Sequence, residues 1–180
     1  MNWVIDTEIL SQERRIFIEG FYEADYVDLH SYRCKVLEPV KVKIVAVVAK
    51  EGIAVGGYVK TTIEHPCDRC LKPVHLAING TIEALYKPID EAPEEREEEL
   101  QSLRNVIYYS SGRIDLTDRI LEAIVMDVPM RVLCNKNCKG LCPRCGADLN
   151  ENTDHSCEEQ SIDPRLGRLL ILKKSIHKEG

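Results

Sequence analysis

Seven of the chain's eight cysteines fall into short groups, and this spacing constrains the fold more than any other feature. Cys67-Asp68-Arg69-Cys70 is one group. Cys134, Cys138, Cys142 and Cys145 lie within twelve residues of one another, and His155-Ser156-Cys157 follows. A tetrahedral metal takes two sulfurs from one tight turn. A two-residue gap lets the loop wrap the ion while backbone amides in the turn donate to the thiolates. Cys142-Pro143-Arg144-Cys145 fits that requirement, and Gly146 can adopt the positive φ that closes such a turn. The knuckle needs two further donors, and His155 with Cys157 would complete a sphere of three cysteines and one histidine, a common structural zinc set. Cys134 and Cys138 then pair with Cys67 and Cys70 as four sulfurs. This count uses eight donors and leaves Cys34 as an ordinary thiol.

Other assignments stay open. One ion could take Cys134 or Cys138 together with Cys142, Cys145 and Cys157. Cys67 and Cys70 could instead be a redox pair. Redox CxxC motifs sit at a helix N-terminus, which lowers the first thiol's pKa, whereas CDRC is followed by the strand-like LKPVHL. Iron of the rubredoxin kind accepts the same four-sulfur geometry. Zinc, one ion or two, is the expected metal because a histidine ligand and sparse aromatic surroundings suit a structural role. With every donor a protein group, no position stays open for water, so hydrolytic catalysis is not expected. Lys139-Gly140-Leu141 would link one ion's ligands to the next.

The surroundings of these thiols follow from the rest of the chain. Its 180 residues allow one domain plus a small module. With 44% hydrophobic residues but only two Phe and one Trp, the core must rest on Val, Ile and Leu. No apolar run is long enough for a membrane span. The opening MNWVIDTEILSQERR carries acids and has no long apolar core, unlike a secretory signal. A reducing, cytoplasmic setting is expected, and it favours metal over disulfides. The net charge of −6 is concentrated in DEAPEEREEE (90–99), with seven acids and one Arg. That stretch reads as a solvated excursion, or as an element engaging a basic partner. A low pI argues against coating nucleic acid, although a local basic patch is compatible with it.

Strand alternation organises the middle of the chain. VKVKIVAVV (40–48) and IAVGGYVKTTI (53–63), joined by Lys50-Glu51-Gly52, predict a β-hairpin. VHLAINGTIEALY (74–86) predicts a third strand, interrupted at Asn79-Gly80. RIFIEG (15–20) and NVIYYS (105–110) predict two more, while the rest of 1–38 is ambiguous. DLTDRILEAIVMDVP (115–129) predicts a helix over 115–127, with Asp115 as cap and Leu116, Ile120, Ala123 and Ile124 on its core side. Asp163-Pro164 starts a C-terminal helix with a basic tail. The expected fold is α+β: an antiparallel β-rich body with a few helices and a small zinc-ribbon-like cysteine unit. The expected organisation is a body over 1–130, a cysteine-rich unit over 131–160 packed on it, and the helix and tail over 161–180.

CDRC at 67–70, VPMRVLCNKNCKGLCPRCGADLN at 128–150 and DPRL at 163–166, in this order, resemble the YceD-like family. These are the bacterial large ribosomal RNA subunit accumulation proteins, which also have plastid members. The resemblance spans roughly 40–175 and is strongest at the cysteines. It implies a role in accumulation or processing of 23S ribosomal RNA, with no associated enzymatic activity. Members differ in how many cysteines they keep, and many end the pattern in Cys-x-Cys where this chain has His155-Ser156-Cys157. The expected partner is ribosomal RNA or a ribosome-assembly protein, with neither a membrane nor a small-molecule substrate. Arg131, Lys136, Lys139 and Arg144, with Arg165 and Arg168, are the candidate contacts. The plainer reading has these cations offset thiolates and solvate the surface. No aromatic stacking platform for single-stranded RNA is visible in the linear sequence. A thiol redox or electron-transfer protein, and an interaction module with no ribosomal link, are the alternatives.

Overall fold

The computed structural model describes residues 3–29, 32–92, 105–110 and 112–157. Most of the acidic segment, the helix expected from Asp163, and Arg165 and Arg168 lie outside these residues. The chain divides into two compact units, Met1–Cys138 and Lys139–Gly180.

Strands β5 (Val40–Ala49) and β6 (Gly52–Pro66) form the predicted hairpin, paired from Ala49↔Gly52 to Lys41↔Lys60. Their alternation sends Val40, Val42, Ile44, Ala46, Ile53, Val55 and Val59 into the core. At 15 residues, β6 outruns its partners and is shared. Its first half lies between β5 and β8 (Thr81–Pro88), its second between β4 (Arg33–Val36) and β7 (Pro73–Ile78). β2 (Arg15–Tyr22) extends the sheet beside β5, and β3 (Tyr26–Asp28) beside β4. The eight-stranded sheet is antiparallel except where β9 (Val106–Tyr109) runs parallel to β8. Parallel neighbours need a crossover of about a dozen residues or more, and the stretch from Pro88 to Val106 is that long.

The third predicted strand is in fact two, β7 and β8, broken at Asn79-Gly80. The break is a close approach: a Cβ on Gly80 would run into the backbone carbonyl of Ala123. The Gly80 carbonyl accepts from Val59 N–H at 2.8 Å, and Asn79 N–H donates to Asp127 Oδ2 at 2.7 Å. Ala123 and Asp127 belong to α2 (Thr117–Asp127), which packs on β6 and β8. Ile120, Ala123 and Ile124 are buried there, as is Leu116 just before the helix. The helix begins two residues later than expected. Leu116 holds the cap position, and Asp115 acts from one residue upstream, its Oδ1 accepting from Thr117 N–H at 2.8 Å.

The ambiguous N-terminus resolves into β1 (Val4–Asp6), paired antiparallel with β10 (Arg113–Asp115), and the short helix α1 (Thr7–Glu13). Asp6 caps α1 by accepting from Glu8 and Ile9 amides, and Leu10 is fully buried. Two turns of helix are too short for a periodic signal. Among the described residues, no helix is long and apolar enough to cross a membrane.

Candidate metal centres

Pairing of Pro66 with Pro73 closes β6 and β7 around Cys67-Asp68-Arg69-Cys70-Leu71-Lys72. The loop is a knuckle. Leu71 N–H donates to the Cys67 carbonyl at 2.9 Å, and Cys67 N–H donates to the Lys72 carbonyl at 2.8 Å. Leu71 takes φ 60°, the left-handed conformation that an L-residue enters at a cost. In the second unit the same scheme recurs. Gly146 N–H donates to the Cys142 carbonyl at 2.9 Å, Cys142 N–H donates to the Ala147 carbonyl at 2.8 Å, and Gly146 has φ 75°. The knuckle expected at Cys142–Cys145 therefore has a twin at Cys67–Cys70, closed by leucine. CxxC spacing made both ligand pairs legible; glycine marked the closing turn at Gly146, and no such signal marked it at Leu71.

Each knuckle meets two further donors. In the first unit, Cys67 Sγ lies 3.9 Å from Cys138 Sγ, and Cys70 Sγ lies 3.5 Å from Cys134 Sγ. In the second, Cys142 Sγ is 3.5 Å from Cys157 Sγ, and His155 Nε2 is 3.3 Å from Cys145 Sγ and 3.1 Å from Cys157 Sγ. Within each foursome, one donor atom per residue lies within 4.8 Å of the others. Sulfurs at ~2.3 Å from a tetrahedral ion are ~3.8 Å apart, so the spacing fits a four-coordinate ion at either place. Either group could hold a metal ion. Cys134 and Cys138 thus stand with Cys67 and Cys70, not with Cys142, Cys145 and Cys157. Cys34 is buried elsewhere in the core, which pushes its thiol pKa up.

Electrostatics agree with this donor set. Burial opposes ionisation of Cys67, yet amides of Cys134, Cys70 and Arg69 donating to its sulfur draw its pKa down to about 6. Cys134 is pushed up to about 12 by the adjoining Cys70 and Cys138 thiols, with burial adding. In the second unit, amides of Cys145 and Arg144 draw Cys142 down to about 6 against burial, while the Cys145 and Cys142 thiols push Cys157 up to about 11. Each group sheds its first proton readily and resists the last. A cation between the donors removes that resistance, because a coordinating thiol is deprotonated outright.

Asp68 and Arg69, between the first two ligands, hold the remote segment in place. Asp68 Oδ2 accepts from Val132 N–H at 2.6 Å, and Asp68 N–H donates to the Val132 carbonyl at 2.8 Å. Arg69 Nη1 donates to the Cys138 carbonyl at 2.5 Å. Sequence reasoning left both residues unassigned, and nothing in their spacing could reveal a partner over 60 positions away. In the second unit, Leu141 and Asp148 form an antiparallel bridge, Leu149 N–H donates to the Gly140 carbonyl, and Lys139 N–H donates to Asn150 Oδ1 at 2.7 Å. Of the candidate basic contacts, Arg131 and Lys136 are exposed on the first unit, and Lys139 and Arg144 on the second.

The profile of the family described as large ribosomal RNA subunit accumulation protein YceD matches residues 55–173, which include all eight donors. An uncharacterized protein of Mycobacterium tuberculosis is 34% identical over 120 residues, 67% of this chain and 55% of that protein. The Zea mays protein named large ribosomal RNA subunit accumulation protein YCED homolog 1, chloroplastic, is 24% identical over 147 residues, 69% of this chain and 50% of that one. Its Arabidopsis thaliana namesake is 24% identical over 165 residues, 79% of this chain and 51% of that one. The chain thus spans about half the length of the curated relatives it matches. No solved structure matches it. A profile match over well more than half of the chain, and a relative of this similarity, show that the chain belongs to the YceD family of large ribosomal RNA subunit accumulation proteins.

Proposed function

We propose that this protein is a non-enzymatic cytoplasmic factor in bacterial ribosome biogenesis that supports accumulation or processing of 23S ribosomal RNA. It would act by binding that RNA or a protein assembled on it. Family membership is the observation that carries this reading. The role is tested by depletion. 23S RNA and the large-subunit peak should fall relative to the small subunit, and unchanged profiles would remove the reading.

The two donor groups support a structural metal in each unit, and zinc suits both a set of four cysteines and a set of three cysteines with one histidine. All four donors of each group are side chains, so a four-coordinate ion there keeps no position for water or substrate. This supports the non-enzymatic reading. Metal analysis should return two zinc ions per chain, and two irons would replace the structural reading with electron transfer. Thiol redox chemistry at Cys67 and Cys70 predicts rapid alkylation of the protein as isolated; metal-held thiolates predict protection until a chelator is added.

A further inference from the structure

Both phenylalanines of the chain lie on the surface. Phe17 is 70% exposed and Phe21 is 60% exposed, although phenylalanine is normally a core residue. The reason is alternation. In β2 the even positions face the core, and Arg15, Phe17, Glu19 and Phe21 face away from it. Register extends this outer face across the sheet. Phe21 stands beside Lys41 and then Lys60, and Glu19 beside Lys43 and then Tyr58.

The two phenylalanines are four residues apart on one strand, hence about 13 Å, and Tyr58 lies two strands over, about 10 Å. Cations attend the rings. The Arg15 guanidinium sits 4.5 Å from the Phe17 centroid, and Lys60 Nζ sits 5.4 Å from that of Tyr58. Outward positions of β2, β5, β8 and the first half of β6 carry five cations (Arg15, Lys41, Lys43, Lys60, Lys87) against two carboxylates (Glu19, Glu83). Glu19 is itself engaged by Lys43 at 2.8 Å and Lys41 at 3.9 Å. A net charge of +3 here contrasts with −6 for the whole chain. At the Phe21 end, a groove of about 460 Å³ is lined by Phe21, Glu38, Pro39, Lys41, Lys60 and Asn79 among others. Glu38 there accepts from Thr62 Oγ1 at 3.2 Å.

Two exposed phenylalanine rings and a half-buried tyrosine on the outer face of a sheet, set among lysines, suit bases that stack and a backbone that is negative. A second copy docking face to face would set five cations against five. We propose that the outer face of β2, β5 and β6 binds single-stranded RNA, with Phe17, Phe21 and Tyr58 stacking on bases and Lys41, Lys43 and Lys60 contacting phosphates. The choice of RNA as the polyanion rests on the proposed role in ribosomal RNA accumulation.

Fluorescence anisotropy of the metal-loaded chain with a labelled oligouridine of about twelve nucleotides, a length within known single-strand site sizes, is the direct test. Phe17→Ala and Phe21→Ala should each weaken binding by roughly 5- to 150-fold. Lys41→Gln and Lys60→Gln should each reduce the slope of log affinity against log salt by about 0.7. Met126→Ala, an exposed residue of α2, should leave binding unchanged. These side chains are at the surface, and circular dichroism melts should match the parent. A parent that does not bind oligouridine, or a Phe17→Ala/Phe21→Ala protein that binds like the parent, overturns the assignment. So does a double variant that keeps RNA but loses a nuclease-resistant protein partner, which would give the face to that protein. In depleted cells the two readings separate. If depletion leaves 23S RNA normal, the ribosomal role fails. If depletion lowers it and the double variant restores it fully, only the sheet-face assignment fails.

Discussion

Leu71 and Gly146 hold the same place in two knuckles and reach it at different expense. A Cβ on Gly146 would have nothing within 4 Å, so Gly146→Ala meets only backbone strain. It should cost about 1 kcal/mol, read as roughly fivefold weaker zinc retention in a chelator competition. Leu71 already bears that strain and is 59% exposed, so Leu71→Gly loses little packing. Relief of strain and the added freedom of the unfolded chain nearly cancel, and urea unfolding should shift by less than about 1 kcal/mol. Leu71→Val, branched at Cβ, should destabilise by about 1 kcal/mol or more. Asp68→Ala removes the acceptor of the buried Val132 amide and should cost about 2 kcal/mol in the same experiment. At this scale the sequence revealed ligands, because CxxC spacing is a local property. It concealed Asp68, whose role needs a partner 64 residues away.

Helix α2 shows what the sequence conveys about an element and what it does not. Its apolar side was legible from period alone, and its start was misjudged because Asp115 caps from the end of a strand, with Leu116 intervening. The Thr117 side chain and amide hold the Asp115 carboxyl below its ordinary pKa. A depressed folded pKa contributes stability above the unfolded value of about 4, lost as pH falls through the folded one. Stability of the parent should therefore drop below about pH 4 more than that of Asp115→Asn, by under about 1 kcal/mol for so exposed a group. Stepwise acid titration of urea midpoints reads the difference. Gly80→Ala pushes a methyl into the Ala123 carbonyl and should cost about 1–3 kcal/mol, with loss of helical signal if α2 is displaced. The strand break at Asn79-Gly80 was visible in the sequence. Its cause, the helix crossing above it, was not.

For the molecule as a whole, the two donor foursomes predict independent ions. Cys67→Ser/Cys70→Ser should lower native mass by one zinc, and Cys142→Ser/Cys145→Ser by the other. Loss of both ions from either variant would show a shared centre. Removing an ion held by the first foursome should lower the melting temperature of the larger unit, because it would tie the β6–β7 turn to the segment at Cys134–Cys138.

By itself the sequence determined what depends on near neighbours: the knuckle at Cys142, the β5–β6 alternation, the apolar side of α2 and the family motifs. These follow from covalent spacing and the 2.0 and 3.6 periods of strand and helix. Donor count in the sequence pointed to the two foursomes and left other assignments open; tertiary structure decided between them, since Cys70 and Cys134 are 64 residues apart and strand pairing determines how the chain returns. Tertiary structure also decided that Phe17, Phe21 and Tyr58 share a face with Arg15, Lys41, Lys43 and Lys60 of the same three strands. Alternation within each strand turns them outward, and register across three strands sets them on one face.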